Sequence, residues 1–191
     1  YYETLLPDDN KVIIARTGYS GEKGYEIYVP NDLAREIWRR ILDLSDHIHP
    51  VGLGCRDSLR LEMGYCLYGN ELDEKTSPIE SGLGWITKLS TNFIGSEKLI
   101  DRKPKKNLVS LISEEKAIPR SGYEVFDKQK NHIGFVTSGG MSPMLKKGIA
   151  LASVKKENSV EKEFYIKIRD KYFLFNKTKL PFYKEGTYLD D

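Results

Sequence analysis

Twelve residues near the start of the chain, RTGYSGEKGYEI (Arg16–Ile27), concentrate groups able to hold a flat, polar molecule. Three glycines at 18, 21 and 24 let a backbone turn tightly and approach a ligand closely. Among them stand Tyr19 and Tyr25, each with an aromatic face and a hydroxyl tip, and the segment closes on Glu26. A carboxylate there can accept two parallel N–H bonds from an amidine-like ring edge, as it would from an arginine fork. Farther along, Tyr65 and Tyr68 offer further aromatic faces, and Arg56 can donate to a ring carbonyl or a ligand carboxylate. A plainer account stands beside this one. Glu26 and Tyr28 are then the outward face of a half-exposed strand, and Arg56 pairs with Asp57 or Glu62 on a helix surface.

Other chemistries find less support. The glycines follow G-x-x-G-x-x-G, not G-x-G-x-x-G, and no helix pattern starts at the end of the motif, so a dinucleotide site fails on context. No glycine-lysine-serine/threonine loop is present for a triphosphate, and no catalytic triad is visible. Two cysteines without close spacing (Cys55, Cys66) and three scattered histidines (His47, His49, His132) do not make a zinc site, and the expectation is a reduced, cytoplasmic, metal-free protein. The net charge of +2 is too small to argue for nucleic acid, and no apolar run approaches the length of a membrane span. The chain opens on Tyr1 without an initiator methionine, so it is expected to be part of something longer.

Positioning these groups requires two kinds of architecture. Val12–Ala15 and Tyr25–Val29 have the β-branched and aromatic character of strands. NDLAREIWRRILDL (Asn31–Leu44) repeats its apolar residues at helical spacing, with Asn31 as the expected N-cap and Trp38 expected in the core. A second helix is predicted over Cys55–Met63, with Asp57 and Ser58 in its first turn, and a strand over Leu83–Leu89. After the basic stretch Arg102–Lys106, read as a solvated linker, six short strands are predicted: Leu108–Ile112, Glu124–Phe126, Ile133–Thr137, Ile149–Val154, Glu163–Ile168 and Tyr172–Asn176. Their spacing suggests a small antiparallel barrel or sandwich. The expected class is α+β, with a first domain over 1–100 and a barrel over 107–191.

Four segments resemble the T-protein of the glycine cleavage system, a tetrahydrofolate-dependent aminomethyltransferase. They are RTGYSGEKGYEIYV (16–29), GLGCRDSLRLEMGYCLYGNELDEKTSPIESGLGW (52–85), GFVTSGGMSPMLKKGIALASV (134–154) and KLPFY (179–183), in the family's order. The resemblance implies the C-terminal half of such an enzyme: the later part of the folate-binding body and a small C-terminal barrel. It places folate contacts on Tyr19, Glu26, Arg56 and Tyr65, and a further contact near the C-terminus on Tyr188 or Thr187. Arg60 and Glu62 look like structural partners on one helix, and the small residues of the barrel motif like devices of backbone geometry. The implied reaction takes an aminomethyl group from the dihydrolipoyl arm of the H-protein, releases ammonia and forms 5,10-methylene-tetrahydrofolate. The family's activating acid lies in the N-terminal half, so no residue here is assigned a catalytic role, and the chain alone is expected to be inactive. Two other folate-related readings are the C-terminal domain of a dimethylglycine or sarcosine dehydrogenase and a non-enzymatic folate-binding protein. The run LYGNELDEKTSPIESGLGW favours the aminomethyltransferase.

Overall fold

The computed structural model describes residues 2–5 and 11–187. The chain forms two compact units, one of residues Tyr1–Leu59 with Lys184–Asp191 and one of Arg60–Tyr183. Among the described residues, no helix is long and apolar enough to cross a membrane.

The first unit is an antiparallel meander with one helix and the first part of a second, whose last residues, from Arg60, belong to the second unit. Strands β1 (Tyr2–Leu5), β2 (Lys11–Ala15) and β3 (Glu26–Tyr28) pair in chain order, and Val12 and Ala15 of β2 are buried. Helix α1 runs from Ala34 to Leu42, starting two residues later than an Asn31 cap would place it. The cause is local: the Leu33 N–H donates to the Pro30 carbonyl, so Pro30–Leu33 closes a turn ahead of the helix. Trp38 is 55% exposed, against expectation. Leu33, Ile37 and Ile41 form the half-buried stripe at intervals of four, and Trp38 lies about 100° around the helix from Ile37. Helix α2 (Leu53–Met63) begins two residues earlier than predicted, which moves Asp57 and Ser58 out of its first turn. The Ser58 hydroxyl instead donates to the Gly54 carbonyl one turn back.

The second unit is built on a closed barrel of six antiparallel strands in the order β4-β7-β6-β5-β8-β9. These are Lys106–Ser113, Glu124–Phe126, His132–Met141, Gly148–Lys155, Glu163–Ile168 and Lys171–Lys177, numbered β4 to β9 along the chain. All six expected strands are present, lengthened by up to two residues at most ends and by four at the end of β6. Closure pairs every strand on both sides, which removes the exposed edges of an open sheet.

Alternation along β7 explains the core. Ala150, Ala152 and Val154 point inward and share the barrel interior with Phe164, Ile166 and Phe175. Ile149 and Leu151 point outward, where Leu61 of α2 and Phe182 cover them. Small residues inside the barrel leave room for the two phenylalanines. The glycines of the 134–154 motif serve close approach: a Cβ on Gly134 would lie 2.1 Å from the Ser153 carbonyl oxygen, and one on Gly148 would lie 1.9 Å from that of Ala117.

One expected strand is corrected. Leu83–Leu89 is a run of turns, not a strand. Gly82 takes φ +75°, and the N–H groups of Leu83, Ile86 and Thr87 bond to carbonyls three to five residues back, so the backbone is satisfied locally. The stretch 102–106 is exposed at all but Pro104, as expected, and is also tethered. The buried Glu80 carboxylate accepts from the Lys105 N–H (3.1 Å) and pairs with Arg102 at 3.1 Å. Burial works against the charged form of Glu80. Bonds from the Lys105 and Ser77 N–H groups and the Ser77 hydroxyl, with the charge of Arg102, outweigh it and hold the carboxyl below its usual range.

Arg60 and Glu62 are structural, but not with each other, since residues two apart on a helix face away from one another. The Arg60 guanidinium is buried. It donates to the Ser138 hydroxyl (2.9 Å) and the Tyr65 carbonyl (3.3 Å), and lies 3.5 Å from the Glu71 carboxylate. Glu62 accepts from the Ser142 hydroxyl and the Met144 N–H. Cys66 lies in the same region, and its thiol is pushed up to about 11, chiefly by burial, with Glu71 adding to the effect and Arg60 opposing it.

Removing one member of a buried ion pair leaves the other uncompensated, at a cost of about 3–5 kcal/mol. Arg60→Met should therefore lower stability by that amount in urea unfolding. Arg60→Met with Glu71→Met should recover most of the loss. Equal destabilisation by the single and double variants would show that the charges do not depend on each other.

Candidate functional site

The glycine-rich segment connects β2 to β3, and Ala15 pairs with Glu26 across the hairpin, so the turn begins and ends at one point of the sheet. Gly21 adopts φ +73°, which a side chain would disfavour, and the Glu22 N–H donates to the Ser20 hydroxyl (3.2 Å). These local bonds set the path of the loop.

Glu26 stands at the first position of β3 with its side chain exposed. The Thr17 hydroxyl donates to its Oε2, fixing one carboxylate oxygen across the mouth of the turn. Oε1 accepts no bond from the described residues. A carboxylate anchored on one side keeps acceptor capacity on the other and presents a defined edge to a donor pair.

Tyr19 is half-buried on the same turn, and the Arg56 guanidinium of α2 lies over its ring, 4.7 Å from the centroid. Such stacking holds a cation and an aromatic plane together by the ring quadrupole. Two residues singled out from sequence therefore meet, and Arg56 has a defined contact other than the carboxylates of its own helix. The set in this unit is an acceptor carboxylate, an aromatic ring and a planar cation. That donor set suits a flat heterocycle with an N–H edge and a carbonyl or carboxylate group.

The C-terminal tail reaches this turn. The Glu22 carboxylate accepts from both the N–H (2.9 Å) and the hydroxyl of Thr187, and the Lys23 N–H donates to the same hydroxyl (2.8 Å). Thr187 thus clips residues 165 positions away in sequence. Tyr188 lies outside the described residues. Tyr65 belongs to the second unit, just after α2. It is half-buried there, its N–H donating to the Arg60 carbonyl (2.9 Å). Sequence reasoning missed Thr17 and Glu22. Thr17 becomes legible once the Ala15–Glu26 register is known, whereas the Glu22–Thr187 contact leaves no local signal.

The clip yields an expected outcome. Thr187→Val removes the acceptor for the Lys23 N–H, an effect of about 1 kcal/mol, so Lys23 amide hydrogen exchange should speed up roughly fivefold. Unchanged exchange would mean that the tail does not hold the turn in solution.

Residues 5–91 match the family model described as the GCVT N-terminal domain, and residues 106–184 match that of the glycine cleavage T-protein C-terminal barrel domain. A protein named aminomethyltransferase from Flavobacterium psychrophilum is 44% identical over 180 residues, covering 91% of this chain and 50% of that protein. One of the same name from Bacteroides thetaiotaomicron is 46% identical over 181 residues, with coverages of 91% and 50%. The crystal structure of the glycine cleavage system aminomethyltransferase T from Bartonella henselae superposes with a TM-score of 0.83 at 34% identity, covering 92% of this chain and 50% of that one. The chain spans about half the length of these relatives. With both domain models matched in order and the barrel closed as described, the chain belongs to the glycine cleavage T-protein family.

Proposed function

We propose that this chain supplies the folate-facing turn and the barrel of a tetrahydrofolate-dependent aminomethyltransferase. In this reading the enzyme takes an aminomethyl group from the dihydrolipoyl arm of an H-protein, releases ammonia and passes the one-carbon unit to tetrahydrofolate, in the cytoplasm. The observation that carries it is the grouping, around one glycine turn, of a carboxylate anchored by Thr17 and the Tyr19–Arg56 stack. The relatives' shared name supports this over a dehydrogenase-linked domain or a non-enzymatic binder.

Tetrahydrofolate, when bound, supplies the nitrogens that take up the one-carbon unit. Glu26 accepts the N–H groups of the pterin edge, with Thr17 holding the carboxylate in register. Tyr19 packs beside the ring, and Arg56 donates to a carbonyl or carboxylate of the ligand while its stack on Tyr19 limits its own motion. Tyr65 and Tyr188 are assigned as further folate contacts. These groups orient and select, lowering the barrier by fixing geometry. No residue of this chain is assigned to proton transfer, and the chain alone should not turn over.

Glu26→Gln keeps the shape but presents a donor where an acceptor is required. In a protein of the relatives' full length it should weaken reduced-folate binding by about 2–4 kcal/mol, roughly 30- to 1,000-fold, with an unchanged melting temperature. Equal affinity in wild type and variant would remove Glu26 from the site. Tetrahydrofolate-dependent ammonia release by the 191-residue chain alone would overturn its assignment as an incomplete catalyst.

A further inference from the structure

One mouth of the barrel carries a groove of about 570 Å³ that the folate reading does not use. Its floor is apolar. Tyr123, Ile168 and Phe173 pack on the barrel core from below while lining the groove above, beside Ala117. Its rim is cationic, with Lys116, Arg120, Arg169 and Lys171 exposed around the opening and Asp170 the one lining carboxylate. None of the four cations forms an ion pair with another described residue, although elsewhere on this unit Lys128 and Lys147 both pair with glutamates.

The rim is also held at a conformational cost. Ile168 pairs with Lys171, so Arg169 and Asp170 alone connect β8 to β9, and Arg169 takes φ +56°. That left-handed position suits glycine or asparagine, and an arginine there costs on the order of 1 kcal/mol. A strained arginine beside three unneutralised cations is a poor solution for stability and a good one for holding an anion.

We propose that this barrel mouth binds a small amphipathic anion: a flat apolar body on the Tyr123–Ile168–Phe173 floor, with a carboxylate, sulfonate or phosphate held by the arginines and lysines of the rim. The volume matches a small-molecule site, and barrel mouths are a recurrent place for one. Apolar floor and charged rim each exclude half of the alternatives. A bare inorganic anion gains nothing from the floor, and a neutral aromatic gains nothing from the rim. This inference is independent of the folate assignment, because no residue is shared.

The test uses naphthalene-2-sulfonate as probe, with 2-naphthol and sulfate as its separated halves, followed by amide chemical shifts of the folded chain. Naphthalene-2-sulfonate should shift the amides of Ala117, Tyr123 and Ile168–Phe173, with affinity falling as salt rises. Each half alone should bind at least fivefold more weakly. Arg169→Gly removes a cation and relieves the left-handed strain together, so it should melt no lower than wild type yet bind the probe at least fivefold more weakly. Arg120→Gln should act in the same direction. Wild-type affinity in both variants, or shifts confined to other surfaces, would overturn the proposal. A short acidic peptide with one phenylalanine that binds the same amides tenfold more tightly than the probe would overturn the small-molecule assignment.

Discussion

A guanidinium taken out of water costs several kcal/mol unless its donors are met, and Arg60 is taken out of water. What meets it comes from three separate parts of the second unit: the Tyr65 carbonyl just past α2, Glu71 in the following loop, and Ser138 on the barrel. Asn70 donates to the same serine at 3.1 Å, and the Leu67 N–H donates to the same Glu71 oxygen at 2.9 Å. The loop from Gly64 to Asn70 has local backbone bonds, with the Gly69 N–H donating to the Leu72 carbonyl (2.7 Å) and the Asn70 N–H to that of Leu67 (3.1 Å), and an isolated bridge between Tyr68 and Leu72. The buried cation and its counter-ion add the contacts that tie this loop to the barrel. Two residues on, Glu62 does the same for the opposite side of the helix end, holding the 142–145 turn. The last turn of α2 thus anchors both Ser138 on the outer face of the barrel and the 142–145 turn.

Ser138 reaches Arg60 because β6 breaks its own alternation. Val136 faces inward opposite Ala152, and without interruption Ser138 would face inward too. The register slips between them, so Ser138 stands opposite Leu151 on the outer face. Thr137, the extra residue, donates its hydroxyl to the Leu151 carbonyl (3.0 Å). One inserted residue converts a hydroxyl that would sit among phenylalanines into the partner of a buried charge.

Legibility followed locality. The barrel strands stand out in sequence because alternating burial repeats every two residues, and glycine-bearing or polar turns end each run. Leu83–Leu89 is apolar without that period, and it folds into turns. Trp38 looked like core by composition, but the angle it subtends on α1 decides, and angle requires knowing which stripe is buried. At the candidate site, residue type and turn chemistry mark Tyr19, Glu26 and Arg56, and Tyr19 and Arg56 do meet. The supporting contacts could not be read, because Thr17 depends on hairpin register, and Glu22 and Arg60 find partners 165 and 78 residues away. Physical chemistry says such groups need partners. It does not say which ones.

The second unit also begins and ends at one point: the N–H groups of Phe182 and Tyr183 both donate to the carbonyl of Glu62 (2.8 and 3.1 Å). In topological terms it is an insertion whose two ends are stapled together. Once it has folded, the segment beyond Tyr183 no longer searches as the far end of a 165-residue loop to reach Glu22. It searches as the end of one of roughly 45 residues, counted from Glu22 to Glu62 and then through the tail. Loop-closure entropy scales with the logarithm of length, so this shortening is worth about 1 kcal/mol. That is comparable to the hydrogen bond Thr187 makes when it arrives. Through chain connectivity alone, the stapled ends of the second unit thereby lower the entropic cost of closing the Glu22–Thr187 contact.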